Sequence, residues 1–187
     1  MDPRKEPRGD ADQAPRAIVL AGLPGVGKST LARLLAARLT CPLLDKDRVR
    51  EVLFGPHWVA YDRAQDDLCV EMMLTAVGDL ARRGSVRAVV LDGRTYARAG
   101  DLRMVRARLT ELGLRPWVVE VRCEAAEARR RLADDVARGS HPAGNRGPEL
   151  HDAVQRRADP IEDPDLVLRS DRWSPAQLLA RCLEHVG

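Results

Sequence analysis

Short apolar runs alternate with amphipathic stretches along this chain, and the alternation lays out its elements. Ala17-Ile18-Val19-Leu20-Ala21 is apolar without a break, as a parallel strand covered on both faces must be. Beyond the turn at Gly22–Gly27 the period changes. Leu31, Leu34, Leu35 and Leu39 recur at helical spacing across Lys28–Leu39. Pro42-Leu43-Leu44-Asp45 reads as a short second strand, followed by helical patterns at about Lys46–Phe54 and Arg63–Arg82. Val86, Ala88, Val89, Val90 and Leu91 make Ser85–Asp92 a third buried strand that ends in a carboxylate. A helix near Gly100–Leu112, a strand at Trp117–Val121 and a strongly charged helix at Ala125–Ala137 follow. Arg138–Pro148 holds three glycines and two prolines and is therefore a loop. A helix from about Glu149, a strand at Leu166–Leu168 and a helix at Pro175–His185 complete the pattern. Strands alternating with helices predict an α/β fold, a three-layer α/β/α sandwich around a five-stranded, mainly parallel sheet.

Composition sets the boundaries. A chain of 187 residues suits one well-buried domain. Met1–Arg16 mixes Pro, Gly and both charge signs without periodicity, so residues 1–16 are expected to be a disordered arm and 17–187 the folded domain. Net charge is only +3, from 31 basic and 28 acidic residues, which does not favour a dedicated nucleic-acid binder. No apolar run approaches the roughly 20 residues that span a bilayer, and the N-terminus lacks the apolar region of a signal peptide. A soluble, cytoplasmic protein is expected, with no membrane partner. The four cysteines are far apart and form no CxxC pair, so they read as buried or half-buried thiols in a reducing compartment. Lys5, Lys28 and Lys46 are the only lysines. The Ala/Arg/Asp-rich composition suggests a GC-rich bacterial coding sequence.

One of those lysines sits in the strongest motif. Gly22-Leu23-Pro24-Gly25-Val26-Gly27-Lys28-Ser29 matches G-x-x-x-x-G-K-[ST] between a buried strand and an amphipathic helix, with Thr30 completing the loop. The glycines let backbone N–H groups converge on phosphate oxygens, and the helix N-terminus adds partial positive charge. Lys28 then reaches the β- and γ-phosphates of ATP, and the Ser29 hydroxyl meets Mg²⁺. Asp92, at the carboxyl end of its strand, is placed to face the metal through water. The alternative is that Asp92 only opens the Asp92-Gly93 turn. No Asn-Lys-x-Asp guanine motif is present, the single asparagine being Asn145. With no ABC-type signature, and a chain short for an AAA+ motor, the small kinases lead.

The phosphate loop, Leu43-Leu44-Asp45-Lys46-Asp47-Arg48-Val49-Arg50 and Val89-Val90-Leu91-Asp92 together resemble the zeta-toxin and polynucleotide-kinase-like branch of P-loop kinases. That branch includes gluconate-kinase-like and antibiotic-phosphorylating members. The resemblance runs from about Arg16 to Asp171. It implies that Asp47 approaches the acceptor hydroxyl and that Arg50 binds substrate. Three residues apart on a first helical turn, the two project to one side, and a carboxylate there can accept the hydroxyl proton. Asp45 is an alternative base, and helix capping with a solvated partner is the alternative for the Asp47–Arg50 pair. The resemblance also implies a mobile lid at about 129–148, whose arginines cover the transferring phosphate. Arg131 and Arg138 are favoured there, while Arg129 and Arg130 read as a solvated helix face. Arg169-Ser170-Asp171 lies where related kinases hold adenine.

Phe54, Trp58 and Tyr61 fall close together around His57, and Trp58 and Tyr61 could face an acceptor or pack a loop on the core. Asp62, Asp66 and Asp67 could bind acceptor hydroxyls or open a helix. Arg94, with Tyr96 and Arg98, follows Asp92 toward the same cleft. The expected activity is ATP-dependent phosphoryl transfer to a hydroxyl of a small molecule: a metabolite, nucleoside or natural product. A polynucleotide 5′-hydroxyl is the less favoured acceptor. A nucleotide-binding regulator or ATPase without acceptor is the alternative from another class.

Overall fold

The computed structural model describes residues 14–138 and 147–186. Five strands form one sheet: β1 (Arg16–Ala21), β2 (Leu43–Asp45), β3 (Ala88–Asp92), β4 (Arg115–Arg122) and β5 (Leu166–Arg169). Their order is β2-β3-β1-β4-β5, and each neighbouring pair is parallel. The helices are α1 (Lys28–Leu39), α2 (Lys46–Trp58), α3 (Arg63–Arg82), α4 (Asp101–Glu111), α5 (Ala125–Arg138), α6 (Pro148–Gln155) and α7 (Pro175–Val186).

The unbroken apolar strands are explained by cover on both faces. In β1, Ala17, Val19 and Ala21 pack with Val70, Leu74 and Val77 of α3 and with Leu102, Val105 and Leu109 of α4. Ile18 and Leu20, one step out of phase, pack with Leu31 and Leu35 of α1 and with Leu178 and Cys182 of α7. Strand side chains alternate faces, so a strand sandwiched between helix layers has no position left for a polar residue. Each fully buried Leu or Ile contributes about 1.5–3 kcal/mol.

Several boundaries move. β1 begins at Arg16, whose N–H donates to Arg87 O at 2.9 Å, so this residue belongs to the sheet rather than to an N-terminal arm. Residues 1–13 of that expected arm lie outside the described residues. β3 starts at Ala88, three residues later than its pattern suggested, and β4 starts two residues earlier, at Arg115. The helix read at Lys46–Phe54 breaks at Gly55, and a further turn carries it to Trp58. All four cysteines are free, two buried and two half-buried. Burial pushes the Cys182 thiol up to about 12. Among the described residues no helix is long and apolar enough to cross a membrane.

Candidate active site

The loop Gly22–Thr30 leaves β1 and enters α1 at the carboxyl edge of the sheet, where open α/β folds bind their ligands. Its glycines are required by close approach as well as by backbone conformation. A Cβ on Gly22 (φ 133) would lie 2.3 Å from Val121 O, and one on Gly25 (φ 78) would lie 2.6 Å from Ala128 O of α5. Lys28 is buried in the first turn of α1, and its Nζ donates to Gly22 O at 2.7 Å and Leu23 O at 2.8 Å. The ammonium is thus held across the loop. The α1 N-cap, Gly27, supplies no side-chain cap, which leaves the first-turn N–H groups of Ser29 and Thr30 available to an anion.

The carboxyl ends of β2 and β3 bring two aspartates side by side, since Asp45 and Asp92 are register partners. Asp92 is 3% exposed, and neither of its side-chain oxygens has a hydrogen-bond partner among the described residues. A buried carboxylate without donors is costly, so this arrangement anticipates a cation or ordered water. Asp45 accepts the Asp47 N–H at 2.9 Å and caps α2. Burial, then the charges of Asp92 and Asp47, raise the Asp45 carboxyl above the usual range. Asp45 is therefore the capping residue, while Asp47, one position into the helix, lines the adjoining cleft.

Asp47 and Arg50 are brought together as the spacing suggested, though as part of a four-membered ionic group. Arg50 Nη1 lies 3.2 Å from Asp47 Oδ1, and Lys46 Nζ lies 3.4 Å from the same oxygen. Asp66 of α3 closes the group, paired with Lys46 at 2.7 Å and with Arg50. Burial pulls the Asp66 carboxyl up, but Lys46 and Arg50 outweigh it and hold the group below the usual range. Arg50 is 2% exposed, lies over the Tyr61 ring at 5.5 Å, and has no acceptor for its Nε.

This group forms one wall of a cleft of about 360 Å³. Pro24 of the phosphate loop lines it too, along with Tyr61, Arg94, Arg98 and Arg157. Arg94 is buried and bridges Asp67 (2.8 Å) and Asp101 (2.9 Å). Asp62 caps α3 by accepting the Gln65 N–H at 2.9 Å, the helix-opening alternative for that residue. Trp58 is 79% exposed, beyond the break in α2, and does not line the cleft. The expected aromatic pocket is thereby reduced to Tyr61, with charged groups in place of the rest.

On the other side of the loop lies a second cleft of about 330 Å³, lined by Gly27, Thr30, Arg130, Arg131, Ser170 and Trp173 among others. Arg131 donates to Ser170 Oγ at 2.9 Å and to Ser170 O at 3.0 Å. The Ser170 hydroxyl in turn donates to Val26 O at 2.6 Å, joining the end of β5 to the phosphate loop. Trp173 is held by Arg181, 4.1 Å above its ring. Arg129 pairs with Asp152 of α6 at 2.9 Å, and Arg130 with Glu127 and Asp134 of its own helix. The Arg130 and Arg131 hydrogen bonds pull the Glu127 carboxyl down to about 2. Arg138 is exposed at the end of α5 and lines neither cleft. Residues 139–146, the centre of the expected lid, lie outside the described residues.

A family model described as an AAA domain matches residues 18–160. The chain belongs to that family. A shikimate kinase of Chromohalobacter salexigens is 32% identical over 162 residues, covering 84% of each chain. An adenylyl-sulfate kinase of Deinococcus deserti is 33% identical over 178 residues, covering 92% of this chain and 91% of that one. The APS kinase of Mycobacterium tuberculosis, solved in complex with AMPPNP and APS, shares the fold with a TM-score of 0.68 at 19% identity. That match covers 92% of this chain and 98% of the other. The protein is a P-loop kinase.

Three features of the candidate site were not legible in sequence. Lys46 looked like part of a motif, yet it ties Asp47 to a second helix. Trp173 lies outside every motif and reaches the second cleft through the turn after β5. His151, in α6, is 1% exposed, and its Nδ1 lies 2.8 Å from Pro24 O. A helix was expected from about Glu149, but nothing marked its contact with a loop 127 residues away.

Proposed function

We propose that this kinase transfers the γ-phosphate of Mg·ATP to a hydroxyl of a small polar acceptor seated beside Asp47. The observation that carries the reading is that buried Asp47 and Pro24 of the phosphate loop line the same cleft. Its volume, about 360 Å³, falls in the range of small-molecule pockets and supports a small acceptor over a polymer. The shikimate and adenylyl-sulfate kinases among the relatives are consistent with that choice.

In this reading Gly22–Thr30 cradles the phosphates, Lys28 turns from the loop carbonyls to the β- and γ-oxygens, and the cleft beside Ser170 and Trp173 takes the base. Among the described residues no three His, Cys, Asp or Glu side chains are grouped to hold a metal alone. Mg²⁺ suits such a site, because it keeps several waters and needs only one or two protein ligands beside phosphate. Ser29 and the donor-free Asp92 are the residues that fit it. The ion would supply charge neutralisation on the phosphate oxygens.

Asp47, oriented by Lys46 and Arg50, takes the acceptor hydroxyl proton as the new O–P bond forms. The bond from the γ-phosphorus to its bridging oxygen breaks, and ADP leaves with the electron pair. Arg50, Tyr61 and Arg94 hold the acceptor, with Trp58 at most a rim contact. Arg131, beside Gly27, is assigned to the transferring phosphoryl group, whose charge spreads over three oxygens that guanidinium forks match; Arg138, which lines neither cleft, would have to move in from the end of α5 to join it. An ATP-consumption screen over sugars, nucleosides, shikimate, adenylyl sulfate, aminoglycoside-like antibiotics and 5′-hydroxyl oligonucleotides identifies the acceptor. Asp47→Asn should then lower transfer about 100-fold or more while ATP still binds. Unchanged transfer in that variant would remove Asp47 as the base.

A further inference from the structure

We propose that His151 is a positioning residue for nucleotide binding: it holds the Pro24–Gly25 peptide so that the Gly25 N–H is presented to phosphate. The contact is long-range and buried. His151 is 1% exposed, and its Nδ1 meets Pro24 O at 2.8 Å. A carbonyl oxygen can only accept, so Nδ1 carries the proton. In a neutral ring this contact requires the Nδ1–H tautomer.

The consequence follows from the geometry of the peptide bond. Among the described residues no peptide bond is cis, and in a planar trans unit the C=O and the next N–H point in opposite directions. With the Pro24 carbonyl tied to α6, the Gly25 N–H is turned away from α6. A loop of this kind works by aiming consecutive N–H groups at one anion, and a peptide free to flip would offer a carbonyl oxygen instead. Glycine at position 25 makes such a flip easy, so a device that prevents it has a purpose here.

The anchor is itself fixed. Asp152, the next residue, pairs with Arg129 of α5 at 2.9 Å. Helix α5 presses on the same loop apex, since a Cβ on Gly25 would lie 2.9 Å from Leu132 Cγ. Leu150 and Val154 of α6 line the acceptor cleft, so the loop apex and that wall share one helix.

The test compares His151→Leu with His151→Asn, whose side-chain amide can still donate to Pro24 O. AMPPNP and AMP are titrated by calorimetry, because AMP engages the base cleft without the outer phosphates. His151→Leu should weaken AMPPNP binding at least tenfold while AMP binding changes less than twofold, and His151→Asn should recover AMPPNP affinity to within threefold of wild type. Equal loss of both ligands would reduce His151 to a packing residue and overturn the proposal, as would unchanged AMPPNP binding. Nitrogen-15 histidine NMR on the unaltered protein gives a check that needs no variant. A protonated Nδ1 is expected, and a neutral Nε2–H tautomer for His151 would overturn the assignment.

Discussion

Replacing Arg50 by Met tests the ionic group around Asp47 most directly. Two cations, Lys46 and Arg50, face two carboxylates, Asp47 and Asp66. Met keeps the apolar stem and removes the guanidinium, together with its place over the Tyr61 ring, leaving two carboxylates to share Lys46. Breaking a buried ion pair costs about 3–5 kcal/mol. The Asp66 side chain is 35% exposed against 6% for Asp47, so water offsets part of that loss. We expect about 2–4 kcal/mol, which for a domain of this size lowers Tm by about 5–15 °C. Asp66→Asn added to Arg50→Met leaves one cation with one carboxylate and should restore at least half of the loss. The pH dependence has a definite sign. Asp66 is held below its ordinary range, so its contribution is complete above about pH 4, the unfolded value, and drains away as pH falls through the folded one. The deficit of Arg50→Met should therefore be constant near neutrality and shrink below about pH 4. Thermal unfolding by circular dichroism reads both effects. The reasoning fails if Arg50→Met melts within about 2 °C of wild type, or if Asp66→Asn adds a further full loss to it.

Gly25→Ala should cost more than about 2 kcal/mol, from the left-handed backbone and the overlap with Ala128 O, and should weaken ATP binding. Gly55→Ala (φ 58, ψ −175) enters backbone space that glycine alone favours but meets nothing within 4 Å, so urea unfolding should show the backbone cost alone, about 1–3 kcal/mol, and less than Gly25→Ala; equal losses would contradict the packing account. Asp45 is raised by burial and by Asp92 and Asp47, so the wild type loses stability as pH rises from the unfolded value through the folded one. Asp45→Asn keeps the cap and should melt higher than wild type at pH 7 but not at pH 3.5; a gain independent of pH would refute the electrostatic cause.

The chain carries its phosphate loop in plain view because that motif is local. Nine consecutive residues set the turn, the cation and the helix start, and the unbroken apolar run before them requires a sheet covered on both faces. Asp47 and Arg50 were legible for the same reason, lying one helical turn apart. Proximity that comes from packing left little trace. Asp66 reaches Arg50 only when α3 lies against α2, and Asp67 and Asp101 meet Arg94 only when α3 and α4 cover one face of the sheet. His151 meets Pro24 across most of the chain. Trp58, whose type and place suggested a pocket, faces solvent because α2 breaks before it. Periodicity reports which face of an element is buried, while the partner that buries it is chosen by the sheet order. Hence the phosphate loop could be read from the residues, and the charges that line the cleft beside it appeared only with the fold.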